Sequence, residues 1–159
     1  MSKHIAGREI DEWIADLASS SFLERSQALR ALLQAPVTCI PAVMAAARAG
    51  KLHSAIWEGV AAWLGSYGDE GMAELCECWD EQPMLVTCAL VAAGPDAVPA
   101  LMEALTSESE ESRRWAAYGL GQFGKEARGA QVVLRAAMRL PVSEKTRESL
   151  LHALKASEE

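Results

Sequence analysis

The chain has 159 residues and a formal net charge of −7, and half of its residues are hydrophobic although only 6% are aromatic. That length suits one domain spanning 1–159, and alanine and leucine outnumber valine and isoleucine, which favours helix over sheet. No apolar run approaches the roughly 18 residues needed to cross a bilayer, the opening MSKHIAGREIDEW lacks the apolar stretch of a secretion signal, and Cys39, Cys76, Cys78 and Cys88 include no CxxC pair, so a cytoplasmic protein with reduced core thiols is expected.

The apolar spacing predicts helices in sequence order, paired as five hairpins over 9–35, 37–68, 70–94, 96–124 and 127–157. Ile10, Trp13, Ile14 and Leu17 form a one-sided stripe in the first hairpin, and Ile56, Val60, Trp63, Leu64 and Tyr67 form another in the second. Pro41 and Pro99 stand where a first helical turn tolerates proline. In the third hairpin Gly94 ends a helix and Pro95 prevents its continuation; in the fourth, Ser109 followed by Glu110 and Glu111 is an N-cap with acids at the positive end of the helix dipole.

These pieces repeat. AVPALMEAL (97–105) echoes CIPAVMAAA (39–47), with GMAELCECW (71–79) and GAQVVLRAAM (129–138) aligning more loosely. Taking Ile40, Met72, Val98 and Ala130 as equivalent gives steps of 32, 26 and 32 residues, the length of a helical hairpin. The second helices agree as well: Leu64, Gly65, Tyr67 and Gly68 match Leu120, Gly121, Phe123 and Gly124, and the closing glycine suits a left-handed C-terminal cap. Helices this short are marginal alone, so the hairpins must stack as a solenoid.

Within the fourth hairpin (96–124), the unit AVPALMEALTSESEESRRWAAYGLGQFG (97–124) resembles the HEAT-like repeats of the phycobilisome-lyase type: a Val-Pro-Ala-Leu first helix, an acidic turn, an Arg-Arg pair and a Leu-Gly ending. The first hairpin fits this pattern poorly, and the third has Met84 where the fourth has Arg113. The resemblance implies an all-α, right-handed α-solenoid of about five hairpins, with the second helices lining a concave surface that binds partners. On that surface the outward positions are Arg114 and Tyr118 in the fourth hairpin, Arg30 in the first, Glu58 and Ala62 in the second, and Glu148 and His152 in the fifth.

Catalytic and cofactor motifs are not found. His4, His53 and His152 lie far apart with no ligand spacing around them, so no metal is expected. The glycine pairs follow helices instead of leading into them, which is the wrong order for phosphate binding, and the five tryptophans mostly fall on apolar stripes.

Charge is the strongest functional signal. Between Leu52 and Ser112 there are twelve acids and no lysine or arginine, whereas Arg113 to Lys155 holds nine bases and three acids. Glu70, Glu74, Glu77 and Glu81 recur at i, i+4, i+7 and i+11, a spacing that aligns them on one helix face and gives like-charge repulsion in place of support. This pattern points to a basic protein partner and away from nucleic acid. The expected function is a non-enzymatic protein-binding module, such as a bacterial immunity protein masking a toxin or an assembly adaptor. Its contacts would come from Glu58, Glu70, Glu74, Glu77, Glu81, Arg114, Tyr118, Glu148 and His152. The alternatives are a HEAT-like enzyme, of the bilin-lyase or DNA-glycosylase kind, and self-association through Leu151; the oligomeric state is left open.

Overall fold

The computed structural model describes residues 4–158; residues 1–3 and 159, which the sequence reading includes in its single domain, lie outside them. Among the described residues there are ten α-helices: α1 (Ile10–Asp16), α2 (Phe22–Leu32), α3 (Ile40–Arg48), α4 (Trp57–Gly65), α5 (Gly68–Glu77), α6 (Pro83–Ala93), α7 (Val98–Ala104), α8 (Glu110–Phe123), α9 (Gln131–Ala137) and α10 (Glu144–Glu158). They form five successive pairs, and the architecture is an all-α stack of helical hairpins, as expected of a HEAT-type solenoid. Short 3-10 turns lead into α3, α4, α7 and α9.

Helical periodicity did not foresee one feature. His4–Ile5 (β1) and Arg8–Glu9 (β2) pair antiparallel through a two-residue turn in which Ala6 and Gly7 have φ of 50° and 81°, the primed geometry that a tight β-turn requires. This small ribbon packs against α1. The Trp13 indole N–H donates to the Ile5 carbonyl at 3.0 Å, and the Arg8 guanidinium lies 4.0 Å from the centre of the Trp13 ring while pairing with Asp16 at 2.8 Å.

One continuous core runs between the two layers, with Leu32, Ile40, Leu64, Leu90, Leu120 and Leu134 all fully buried. Leu120 is thus a core residue, like the stripe residue Leu64 that it matches in the repeat. From α4 onward, neighbouring second helices pack against one another along much of their length, whereas neighbouring first helices touch at fewer points. The closely spaced layer of second helices is therefore the inner, concave one.

The repeated Leu-Gly-x-aromatic-Gly segment has two separable jobs. Gly94 and Gly124, which cap the ends of α6 and α8, have φ of 106° and 54°, values that favour glycine; Gly68, with φ of 64°, comes after the short turn that follows α4 and is the first residue of α5 instead of a cap on α4. The inner glycines permit close approach: a Cβ on Gly65 would lie 2.5 Å from the Ala89 carbonyl oxygen of α6, and one on Gly121 would lie 2.8 Å from the His152 ring on α10.

Candidate interaction groove on the second-helix layer

Counting back from the left-handed glycines places the inner-face residues of successive hairpins in register. Arg114 stands ten residues before Gly124 and Met84 ten before Gly94, so Met84 is the counterpart of Arg114 and not of Arg113. The same step relates Cys88 to Tyr118, and Ala92 to Gln122. The inner glycines relate Glu58 to Arg114, and Ala62 to Tyr118.

These residues meet. A groove of about 440 Å³ is lined by Trp57, Glu58, Ala61 and Ala62 of α4, Met84, Cys88, Val91 and Ala92 of α6, and Tyr118 and Gln122 of α8. The inner face of α6, half-buried at Met84, Cys88 and Val91 and exposed at Ala92, is its floor, and α4 and α8 are its walls. Eight of the ten lining residues are apolar or aromatic, and Glu58 is the only one that carries a formal charge. Burial pushes the Cys88 thiol above its ordinary pKa, so it behaves as an uncharged, small apolar group. Beside this groove, Arg114, Trp115, Tyr118 and Ser149 line a smaller hollow of about 260 Å³ between α8 and α10. Tyr118, 43% exposed, is the ridge between the two. Its ring makes an edge contact with Trp115 at 5.5 Å, and Arg114, 5.5 Å from the Trp115 ring centre, pairs with Glu111 at 3.5 Å.

The nine residues singled out from the sequence do not form one surface. Glu58, Arg114 and Tyr118 line the two hollows, and the exposed Glu148 and His152 continue the inner face on α10. Glu70, Glu74 and Glu77 belong to α5, a first helix in the outer layer; Glu70 and Glu77 are exposed and Glu74 is half-buried. Glu81 falls outside the stripe: α5 ends at Glu77, so Glu81 lies in the following turn, where its carboxylate pairs with Arg48 at 3.6 Å. The i+11 spacing presumed a helix one turn longer than α5. Another outer-layer acid, Asp80, also has partners, accepting from the Ser107 and Ser112 hydroxyls at 3.0 and 2.6 Å.

Sequence reasoning missed most of the groove floor. From the sequence alone Trp57 reads as core, Cys88 as a core thiol and Met84 only as a position without the arginine of the fourth hairpin. The register from Gly94 and Gly124 was the available signal for Met84, Cys88 and Ala92. Of the four cysteines, all free, Cys39 and Cys78 are buried, Cys88 is half-buried in the groove, and Cys76 is exposed on the outer layer, contrary to a uniform core assignment.

Among the described residues no helix is long and apolar enough to cross a membrane, and no group of three or more His, Cys, Asp or Glu side chains is placed to hold a metal ion. The fold and its groove define a helical-repeat protein. Residues 84–155, from the start of α6 to near the end of α10, match the family of HEAT repeats. The match is to HEAT repeats as a class, and it implies a protein-interaction scaffold. No curated protein matches the chain.

Proposed function

We propose that this protein is a non-catalytic scaffold that holds a basic partner protein through the inner groove between α4, α6 and α8. The observation that carries this reading is the groove itself: an apolar trough with an aromatic residue on each wall, Trp57 and Tyr118, and one carboxylate. Aromatic side chains in desolvated pockets are where interface energy concentrates. The run from Leu52 to Ser112, with twelve acids and no lysine or arginine, supplies a field that steers a cationic partner and repels nucleic acid. Masking of a basic toxin and assembly of a larger complex both use such a surface, and a toxin gene next to this one would favour the former.

The test is capture from the native host with wild-type bait, Tyr118→Ala and Ala92→Arg, followed by quantitative mass spectrometry. Both substituted side chains are exposed, so the fold should persist, while Tyr118→Ala weakens capture and Ala92→Arg, which fills the trough, abolishes it. A partner retained equally by all three baits would remove the groove from the function. The outer acids act at longer range. Reversing Glu70 and Glu77 to lysine should slow association of the captured partner more than it speeds dissociation, and salt should shrink that difference because the Debye length is about 8 Å at physiological ionic strength. Equal association rates at low salt would leave the α5 acids as a solvated face.

A further inference from the structure

We infer that the groove over α6 is built to receive an amphipathic α-helix from the partner, with apolar side chains on one face and a lysine or arginine positioned opposite Glu58. The inference rests on the scaffold reading above and specifies the shape and charge of what is bound.

Three observations carry it. The first concerns backbone polarity. An extended segment lying in the trough would bring a row of N–H and C=O groups against a mostly apolar lining, whose polar side-chain atoms are few: the Glu58 carboxylate, the Gln122 amide, the Tyr118 hydroxyl, the Trp57 indole N–H and the half-buried Cys88 thiol. Unpaired backbone groups removed from water cost about as much as a lost hydrogen bond each, and these few side chains, most of them at the walls, do not form the continuous row of partners that an extended backbone needs. A helix satisfies its backbone internally and presents only side chains.

The second is size. Packed helices lie about 8 to 10 Å apart, so α4 and α8 flank α6 with their axes about 16 to 20 Å from one another, and a helix about 10 to 12 Å across can rest over α6, raised above that layer, with both walls within side-chain reach. The floor residues Met84, Cys88 and Ala92 recur every four positions along α6, which is the row of small and pliable side chains that a second helix's ridges can enter. Trp57 and Tyr118 stand on opposite walls, and contact with both would fix the incoming helix laterally.

The third is charge. Arg114 is paired with Glu111, and Glu81 with Arg48, but Glu58 makes no ion pair among the described residues. It is exposed in the first turn of α4 at the margin of the trough. A cationic side chain reaching Glu58 from a helix seated on α6 completes a pair at the edge of an apolar contact, where the surrounding apolar surface limits screening.

The experiment is a selection of displayed random peptides, several helical turns long, on the wild-type protein with counter-selection on Ala92→Arg. The expected survivors carry apolar residues at i, i+3 or i+4 and i+7, with a lysine or arginine beside them, and become helical on binding by circular dichroism. For such a peptide, Glu58→Gln should weaken binding about two- to fivefold, and should have no effect on the same peptide with its base replaced by glutamine. Survivors with apolar residues at alternate positions or with internal prolines would overturn the helix, and so would the absence of any peptide that distinguishes wild type from Ala92→Arg. The two readings fail separately. If the host partner is lost on Ala92→Arg while the selection fails, the scaffold stands and the helix is withdrawn; if the partner persists on Ala92→Arg, the scaffold reading itself falls.

Discussion

Hairpins one and four enter their second helices by the same turn and then join their neighbours in different ways. In both, a serine N-cap (Ser21, Ser109) accepts from the N–H three residues on, its own N–H donates to a serine two residues earlier (Ser19, Ser107), and a buried arginine (Arg25, Arg113) donates to that earlier serine's carbonyl at 2.7 and 2.6 Å. The joints differ. In hairpin four the Ser107 and Ser112 hydroxyls reach back to Asp80 of the hairpin before, and Glu110 reaches forward to Ser143 and Thr146 at the start of α10. In hairpin one, Glu24 of the same helix takes the Ser19 hydroxyl. On the forward side, Phe22 and Leu33 occupy the places of Glu110 and Gly121 and stay 77% and 58% exposed, while α2 touches α4 at few points. The turn is thus a property of each repeat, and the joint is a property of position in the stack.

The core tests this most severely. Leu120→Ala should cost about 2 to 5 kcal/mol in chemical denaturation, because the residue is fully buried between neighbours on both sides. Leu32→Ala removes the same side chain from the corresponding, equally buried place in the terminal hairpin, where the surroundings can collapse more freely, and should fall at the lower end of that range. If Leu32→Ala costs more than Leu120→Ala, the first joint is as tight as the fourth. Next comes the shared turn. Arg113→Met removes a charged donor serving two carbonyls, Ser107 at 2.6 Å and Glu108 at 2.9 Å, and should cost about 1.5 to 3 kcal/mol, while Arg25→Met, which removes a donor to Ser19 alone, should cost less.

That shared turn also marks what could be read from the sequence. Period, capping serine, helix-starting prolines and closing glycines were legible because each is a local backbone requirement met by one or two residue types. Arg25 is as visible as Arg113, in S-x-S-x-x-x-R at 19–25 and 107–113, although the first hairpin otherwise fits the repeat unit of the fourth poorly. The groove was harder. Glu58 and Tyr118 were found because charge and aromaticity stand out, whereas Met84, Cys88 and Ala92 look like core until the inner layer is assembled. Glu81 misled because periodicity carries no information about where α5 stops.

A smaller effect separates the joints by size. A Cβ on Gly65 would fall 2.5 Å from the Ala89 carbonyl oxygen and 2.9 Å from the Ala93 nitrogen, both backbone atoms that can yield only if α4 and α6 move apart. Gly65→Ala should therefore lose about 1 to 3 kcal/mol, an overpacking penalty exceeding the gain in helix propensity. Leu33→Ala, at the corresponding but exposed place in hairpin one, should leave stability almost unchanged. A neutral Gly65→Ala would mean that neighbouring second helices pack less closely than this.

The smallest effect is the most specific to the fourth joint, because it depends on pH. Glu110 accepts the Ser143 N–H at 2.8 Å and the Thr146 hydroxyl at 2.6 Å, and hydrogen bonds from Ser143 and then Thr146 hold its carboxyl down at about 2. A carboxyl whose pKa is lower in the folded chain than in the unfolded one stabilises the fold at every pH above its ordinary value of 4.5, and that contribution fades as pH falls toward 2. Glu110→Gln keeps a carbonyl acceptor but cannot ionise. Wild type should be more stable than Glu110→Gln at pH 6, the gap narrowing steadily between pH 4.5 and 2 in thermal unfolding. Phe22→Gln, at the corresponding place in hairpin one, should show no such pH-dependent gap, since nothing that titrates is removed. A Glu110→Gln difference that holds constant from pH 6 to pH 2.5 would show that the joint uses the oxygen's geometry and not its charge, and the fourth joint would then differ from the first in shape alone.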